Sequence, residues 1–84
     1  MTESPAADTE ALVRYLVTSL VEHPDEVVVV RRDGEATTAF EITVHPDDTG
    51  KVIGRGGRVI KAIRVLVRAA ASVDGADATV DVTG

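Results

Sequence analysis

The order of apolar and polar positions divides the chain into six regular elements. Over residues 9 to 22, Leu12, Val13, Leu16, Val17, Leu20 and Val21 recur at helical spacing, while Glu10, Arg14, Thr18 and Glu22 take the opposite side. This predicts an amphipathic helix. Asp8 or Thr9 suits its start, and His23-Pro24 ends it, because the residue before a proline is pushed away from helical torsions. Val27 to Val30 is a β-branched run and predicts a strand. Asp33-Gly34 is a two-residue hairpin signal. The returning strand, Thr37 to Val44, alternates, with Phe40, Ile42 and Val44 on one face and Glu41 and Thr43 on the other.

Pro46 suits the first position of a short helix, with Asp47 and Asp48 where the positive helix end favours carboxylates. That helix carries Val52 and Ile53 and stops at Gly54. A longer helix is expected from Gly57 or Arg58 to about Val73, and Asp74-Gly75 breaks it. Ala78, Val80 and Val82 then alternate with Thr79 and Asp81 as a last strand. The predicted fold is α+β in the order α-β-β-α-α-β. The last two strands flank a helical crossover and are expected to be parallel neighbours. The hairpin adds an antiparallel edge, so three helices should cover one face of a three-stranded mixed sheet. Residues 1 to 8 are expected to be a disordered tail and residues 9 to 84 a single domain.

Composition narrows the chemistry. With 84 residues and no cysteine, disulfides and thiolate metal sites are excluded. No run of 18 apolar residues is present and the N-terminus is polar and acidic, so a soluble, cytoplasmic protein is expected. The two histidines, His23 and His45, both precede or adjoin a proline at element ends and are read as turn or capping residues. The formal net charge of −5 argues against a polyanionic partner until its distribution is considered. Residues 51 to 68 hold Lys51, Arg55, Arg58, Lys61, Arg64 and Arg68 and no acid, whereas the remainder has three basic residues against fourteen acidic ones. The local field, not the net charge, decides which ligand approaches which face.

The basic run surrounds Val52-Ile53-Gly54-Arg55-Gly56-Gly57-Arg58-Val59-Ile60. A glycine-rich turn between two helices leaves main chain bare of side chains, and the following helix start favours phosphate. On a helical wheel Arg58, Lys61, Arg64 and Arg68 share an arc of about 120°. Val59, Ile60, Ile63, Leu66, Val67 and Ala70 lie opposite. No Walker A ending and no dinucleotide fingerprint is present. Neither a nucleophile–base pair nor a metal set is evident, so a binding module without catalysis or cofactor is expected. Tyr15, on the polar side of the first helix, and Val65, among the basic residues, are read first as singly exposed apolar residues, with a dimer contact or a stacking site as the alternative.

The motif Val52-Ile53-Gly54-x-x-Gly57-x-x-Ile60, on helix–turn–helix inside a β-α-α-β unit, resembles the KH domain. The leading helix and strand resemble its type II arrangement. The strings His23-Pro24, Gly50-Lys51-Val52-Ile53-Gly54 and Lys61-Ala62-Ile63-Arg64 are similar to the stand-alone bacterial KhpA group of that family. KH domains clamp the backbone of single-stranded RNA with a GXXG loop. The resemblance implies that Gly54, Arg55, Gly56 and Gly57 form the clamp, that Val52, Ile53 and Ile60 line an apolar wall, and that Lys51, Arg58 and Lys61 reach phosphates. It further implies an RNA chaperone-like role and pairing with a larger KH protein, KhpB. The alternative expectation is a protein-interaction module, as a homodimer or as a subunit of another KH protein.

Overall fold

The computed structural model describes residues 5 to 83. Six elements follow one another: α1 (Pro5–Leu20), β1 (Val28–Asp33), β2 (Thr37–Thr43), α2 (Thr49–Ile53), α3 (Arg58–Ser72) and β3 (Asp77–Thr83). Single turns of 3₁₀ helix precede β1, α2 and α3. β2 is the central strand. It pairs antiparallel with β1, from Val28↔Thr43 to Asp33↔Thr38, and parallel with β3, from Thr37↔Asp77 to Thr43↔Thr83. The expected mixed sheet is formed, and the three helices bring one apolar core to it.

That core follows the alternation. Phe40, Ile42 and Val44 are buried from the central strand region, Val27 and Val29 from one side and Ala78 and Val80 from the other. Val13 and Val17 of α1 and Ile60, Ile63, Val67 and Ala71 of α3 complete the layer. Burying a side chain of this size contributes on the order of 1.5–3 kcal/mol.

Three boundaries differ from the sequence reading. α1 opens at Pro5, four residues before Thr9, so Asp8 and Thr9 lie inside the helix and not at its cap. Proline is suited to a first helical turn, and Ala6 and Ala7 have the highest helix propensity. Of the tail expected over residues 1 to 8, residues 5 to 8 are therefore helical, and residues 1 to 4 lie outside the described residues. α1 also ends at Leu20, ahead of the expected stop, because the amides of Glu22 and His23 turn to the side chain of Asp48. The hairpin turns later than expected. The Gly34 amide donates to the Thr37 carbonyl at 2.8 Å, which leaves Glu35 and Ala36 at the tip. Gly34 is needed there for close approach: a Cβ would sit 2.8 Å from that same carbonyl oxygen.

The end of α3 matches its signal. Gly75 is left-handed, its amide donates to the Ser72 carbonyl, and the Ala76 amide donates to the Ala71 carbonyl. This is the paired bonding of a Schellman cap.

Candidate nucleic-acid interface

The turn between α2 and α3 is built on glycine torsions. Gly54, Gly56 and Gly57 all have positive φ, of 76°, 64° and 76°. They differ in what surrounds them. At Gly54 a Cβ would lie 2.4 Å from Val59 Cγ2 and 2.8 Å from the Val59 backbone nitrogen, so only glycine fits. At Gly56 nothing lies within 4 Å. Gly57 is the left-handed residue from which α3 begins. The Gly57 amide donates to the Gly54 carbonyl at 3.1 Å and the Gly54 amide to the Gly50 carbonyl at 2.8 Å, which closes the turn. Gly54 is thus fixed by packing, while Arg55 and Gly56 present an open segment to solvent.

The apolar residues of the motif separate. Val52 is fully buried and Ile60 nearly so, both within the core. They anchor the two helices to the sheet. Ile53 is the member that reaches the surface, at 36 % exposure.

The cations separate too. Lys51 Nζ lies 3.5 Å from both Glu22 Oε2 and Asp48 Oδ1, so the structure ties it to the end of α1 instead of presenting it freely to a phosphate. Arg64 donates its Nε to the Val80 carbonyl at 2.9 Å and lies 3.6 Å from Asp81, latching α3 to β3. Arg14, Arg31 and Arg32 each have a carboxylate partner as well. Among the described residues Arg55, Arg58, Lys61 and Arg68 have none, and all four are exposed. An acidic surface that has already neutralised its own five basic residues leaves four cations, Arg55 on the open loop and Arg58, Lys61 and Arg68 along α3. Between α3 and the edge of β3 runs a cleft of about 370 Å³, lined by Arg64, Arg68 and residues 78 to 81.

Asp48 was missed as a key residue. It reads as one of two acids favouring a helix start, yet its side chain is fully buried. Its carboxylate accepts the amides of Glu22 at 3.1 Å and His23 at 3.0 Å and the His23 ring Nδ1–H at 3.0 Å. Burial by itself would raise its pKa. The amide of Glu22, the ring and amide of His23 and the His23 charge outweigh this and hold the carboxyl down at about 2. Asp48 thereby fixes the entry to α2, and with it the glycine turn, against the end of α1. The residues whose amides and ring it accepts lie 25 and 26 positions away, so no local pattern marks it.

His23 and His45 stack with ring centroids 4.1 Å apart. His45 Nδ1 accepts the Asp47 amide at 3.0 Å, in keeping with the capping role read from the sequence.

This element order, with an open glycine turn joining two helices beside a parallel strand pair, defines a KH domain of type II. The model of the KhpA/KhpB KH domain matches residues 10–82. The chain is 48% identical over 60 residues to the RNA-binding protein KhpA of Oceanobacillus iheyensis, covering 71% of this chain and 80% of that one. It is 49% identical over 61 residues to the KhpA of Bacillus subtilis, covering 73% and 75%. With the KhpA of Leifsonia xyli it shares 46% over 68 residues, covering 81% and 87%. The chain belongs to the KhpA/KhpB KH-domain family. A crystal structure of Aquifex aeolicus Era superposes with a TM-score of 0.69 at 19% identity, over 98% of this chain and 31% of that one, which shows the shared fold. No helix among the described residues is long and apolar enough to cross a membrane.

Proposed function

We propose that this protein binds single-stranded RNA, with the backbone held across Gly54-Arg55-Gly56-Gly57 and phosphates met by Arg55, Arg58 and Lys61, and that it acts in the manner of an RNA chaperone without catalysis of its own. The observation that carries the reading is the segregation of charge: the exposed cations without a carboxylate partner are those of the loop and of α3. The relatives' name, RNA-binding protein KhpA, agrees with it. Ile53 supplies an exposed apolar side chain next to the turn for a base. Lys51 contributes to the local field from its place beside Glu22 and Asp48.

The test is the double variant Arg55→Asp, Gly56→Asp in a gel-shift assay with unstructured RNA. Both positions are exposed and nothing crowds Gly56. Aspartate is among the residues that tolerate positive φ, so the fold is retained. Binding is expected to be lost; unaltered binding ends the proposal.

A second reading concerns partners. Along α3 and the residue that caps it, Leu66 and Val73 are 50% and 84% exposed, with Ala69 between them, Ala62 one turn before Leu66 on the same stripe, and Val65 beside it; Tyr15 on α1 is 69% exposed. This apolar side, next to the cationic one, suits pairing with a KhpB-like KH protein or a homodimer. Pairing would strengthen a weak single domain through effective concentration. Leu66→Glu should shift the species seen by light scattering toward monomer, and an unchanged mass distribution would exclude this face.

A further inference from the structure

Lys51 stands one helical turn ahead of Gly54, so its stem is a neighbour of the glycine turn. Its ammonium points the other way, toward the start of α2, as helical side chains lean. There it lies 3.5 Å from Asp48 Oδ1 and 3.5 Å from Glu22 Oε2. Both contacts are long. Asp48 does not depend on its own, because the amides of Glu22 and His23 and the His23 ring nitrogen already surround its carboxylate at 3.0–3.1 Å. Glu22 holds the lysine no more firmly. Its side chain is 71% exposed and that of Lys51 41%, and an ion pair so open to water contributes little. Arg64 is the contrast: its Nε donates to a main-chain carbonyl at 2.9 Å, which fixes it in place. Lys51 is therefore kept beside the loop but loosely, on a flexible four-carbon stem.

From this we propose, building on the RNA reading above, that Lys51 has two positions. In the free protein its ammonium rests on Glu22 and Asp48, and bound RNA draws it onto a phosphate at the glycine turn. Glu22 is then a competitor of the RNA and lowers its affinity from outside the interface. The exchange replaces a carboxylate by a phosphate, so the cation is partnered in both states. It is confined to side chains, because the amide of Glu22 stays bonded to Asp48.

The test is a double-mutant cycle in the full chain, read as affinity for a short labelled oligouridine. It is run at about 150 mM salt, where charges more than about 8 Å apart are largely screened. Glu22→Gln should tighten binding about threefold and Lys51→Gln should weaken it about threefold. Both positions reach the surface, and neither change removes a backbone contact. In the Lys51→Gln background, Glu22→Gln should have no effect, since nothing is left to compete for. The carboxylate ¹³C resonance of Glu22 should also move when the native chain is saturated with the RNA. If the native chain binds but Glu22→Gln changes nothing, or gives the same gain with and without Lys51, the exchange is overturned while the RNA reading stands. A native chain that binds no RNA ends both.

Discussion

Asp48 and His23 are joined twice, through the backbone amide and through the ring nitrogen of the histidine, each at 3.0 Å to the same carboxylate oxygen. The pair connects the first helix to the glycine turn. Replacing Asp48 with asparagine keeps the shape but removes the charge that these donors face. A drop in melting temperature of at least about 5 °C is expected at neutral pH. Thermal unfolding by circular dichroism checks this; an unchanged transition would show that the buried carboxylate does not hold the turn.

The same group gives a pH dependence. Its pKa is lowered from 3.8 to about 2 on folding, so its stabilisation is complete above pH 3.8 and is lost as the pH falls through 2. Melting temperatures measured from pH 5 to pH 2 should fall more steeply for the native chain than for Asp48→Asn. Parallel curves would refute the assignment.

The glycines of the turn should rank by surroundings. Gly54→Ala places a methyl group against Val59 at positive φ, and a loss of about 2–4 kcal/mol is expected. Gly56→Ala meets only the torsional cost of about 1 kcal/mol. Urea unfolding midpoints decide the order, and equal midpoints would contradict the packing at Gly54.

Arg58 and Arg64 lie on one helix and should behave differently. Arg58→Ala should weaken RNA binding with stability unchanged. Arg64→Ala removes the bond to the Val80 carbonyl and should cost about 1 kcal/mol of stability. The discriminating experiment measures both affinity and unfolding for both variants; interchanged phenotypes would place the interface elsewhere.

Salt provides a check on the number of phosphates met. If all four unpartnered cations each neutralise one phosphate, affinity for single-stranded RNA should fall about 50-fold between 50 and 200 mM salt. A slope near zero would remove the cationic face from the mechanism.

The element order, the three-stranded mixed sheet, the glycine turn and the basic run were legible in the sequence. Each depends on residues within a few positions of one another: the alternation of Phe40, Ile42 and Val44, the helical spacing of Ile60, Ile63 and Val67, and the torsions open to Gly54, Gly56 and Gly57. Periodicity reports which face an element turns inward, and that is a local property. The helix start at Pro5 was legible too, in Pro5-Ala6-Ala7, but a polar, acidic composition outweighed it.

What only the tertiary structure decided was how residues of one type divide into different roles. Six basic residues between positions 51 and 68 look alike in sequence, yet Lys51 is claimed by Glu22 and Arg64 by Val80 and Asp81, which leaves four. Val52 and Ile53 are neighbours, yet one is core and the other surface. Asp47 and Asp48 are adjacent acids, yet only the second is buried. In each case the deciding partner is 16 or more positions away or belongs to another layer. Charge pairing and burial depend on distance in space, and the chain acquires those distances only when the helices close on the sheet.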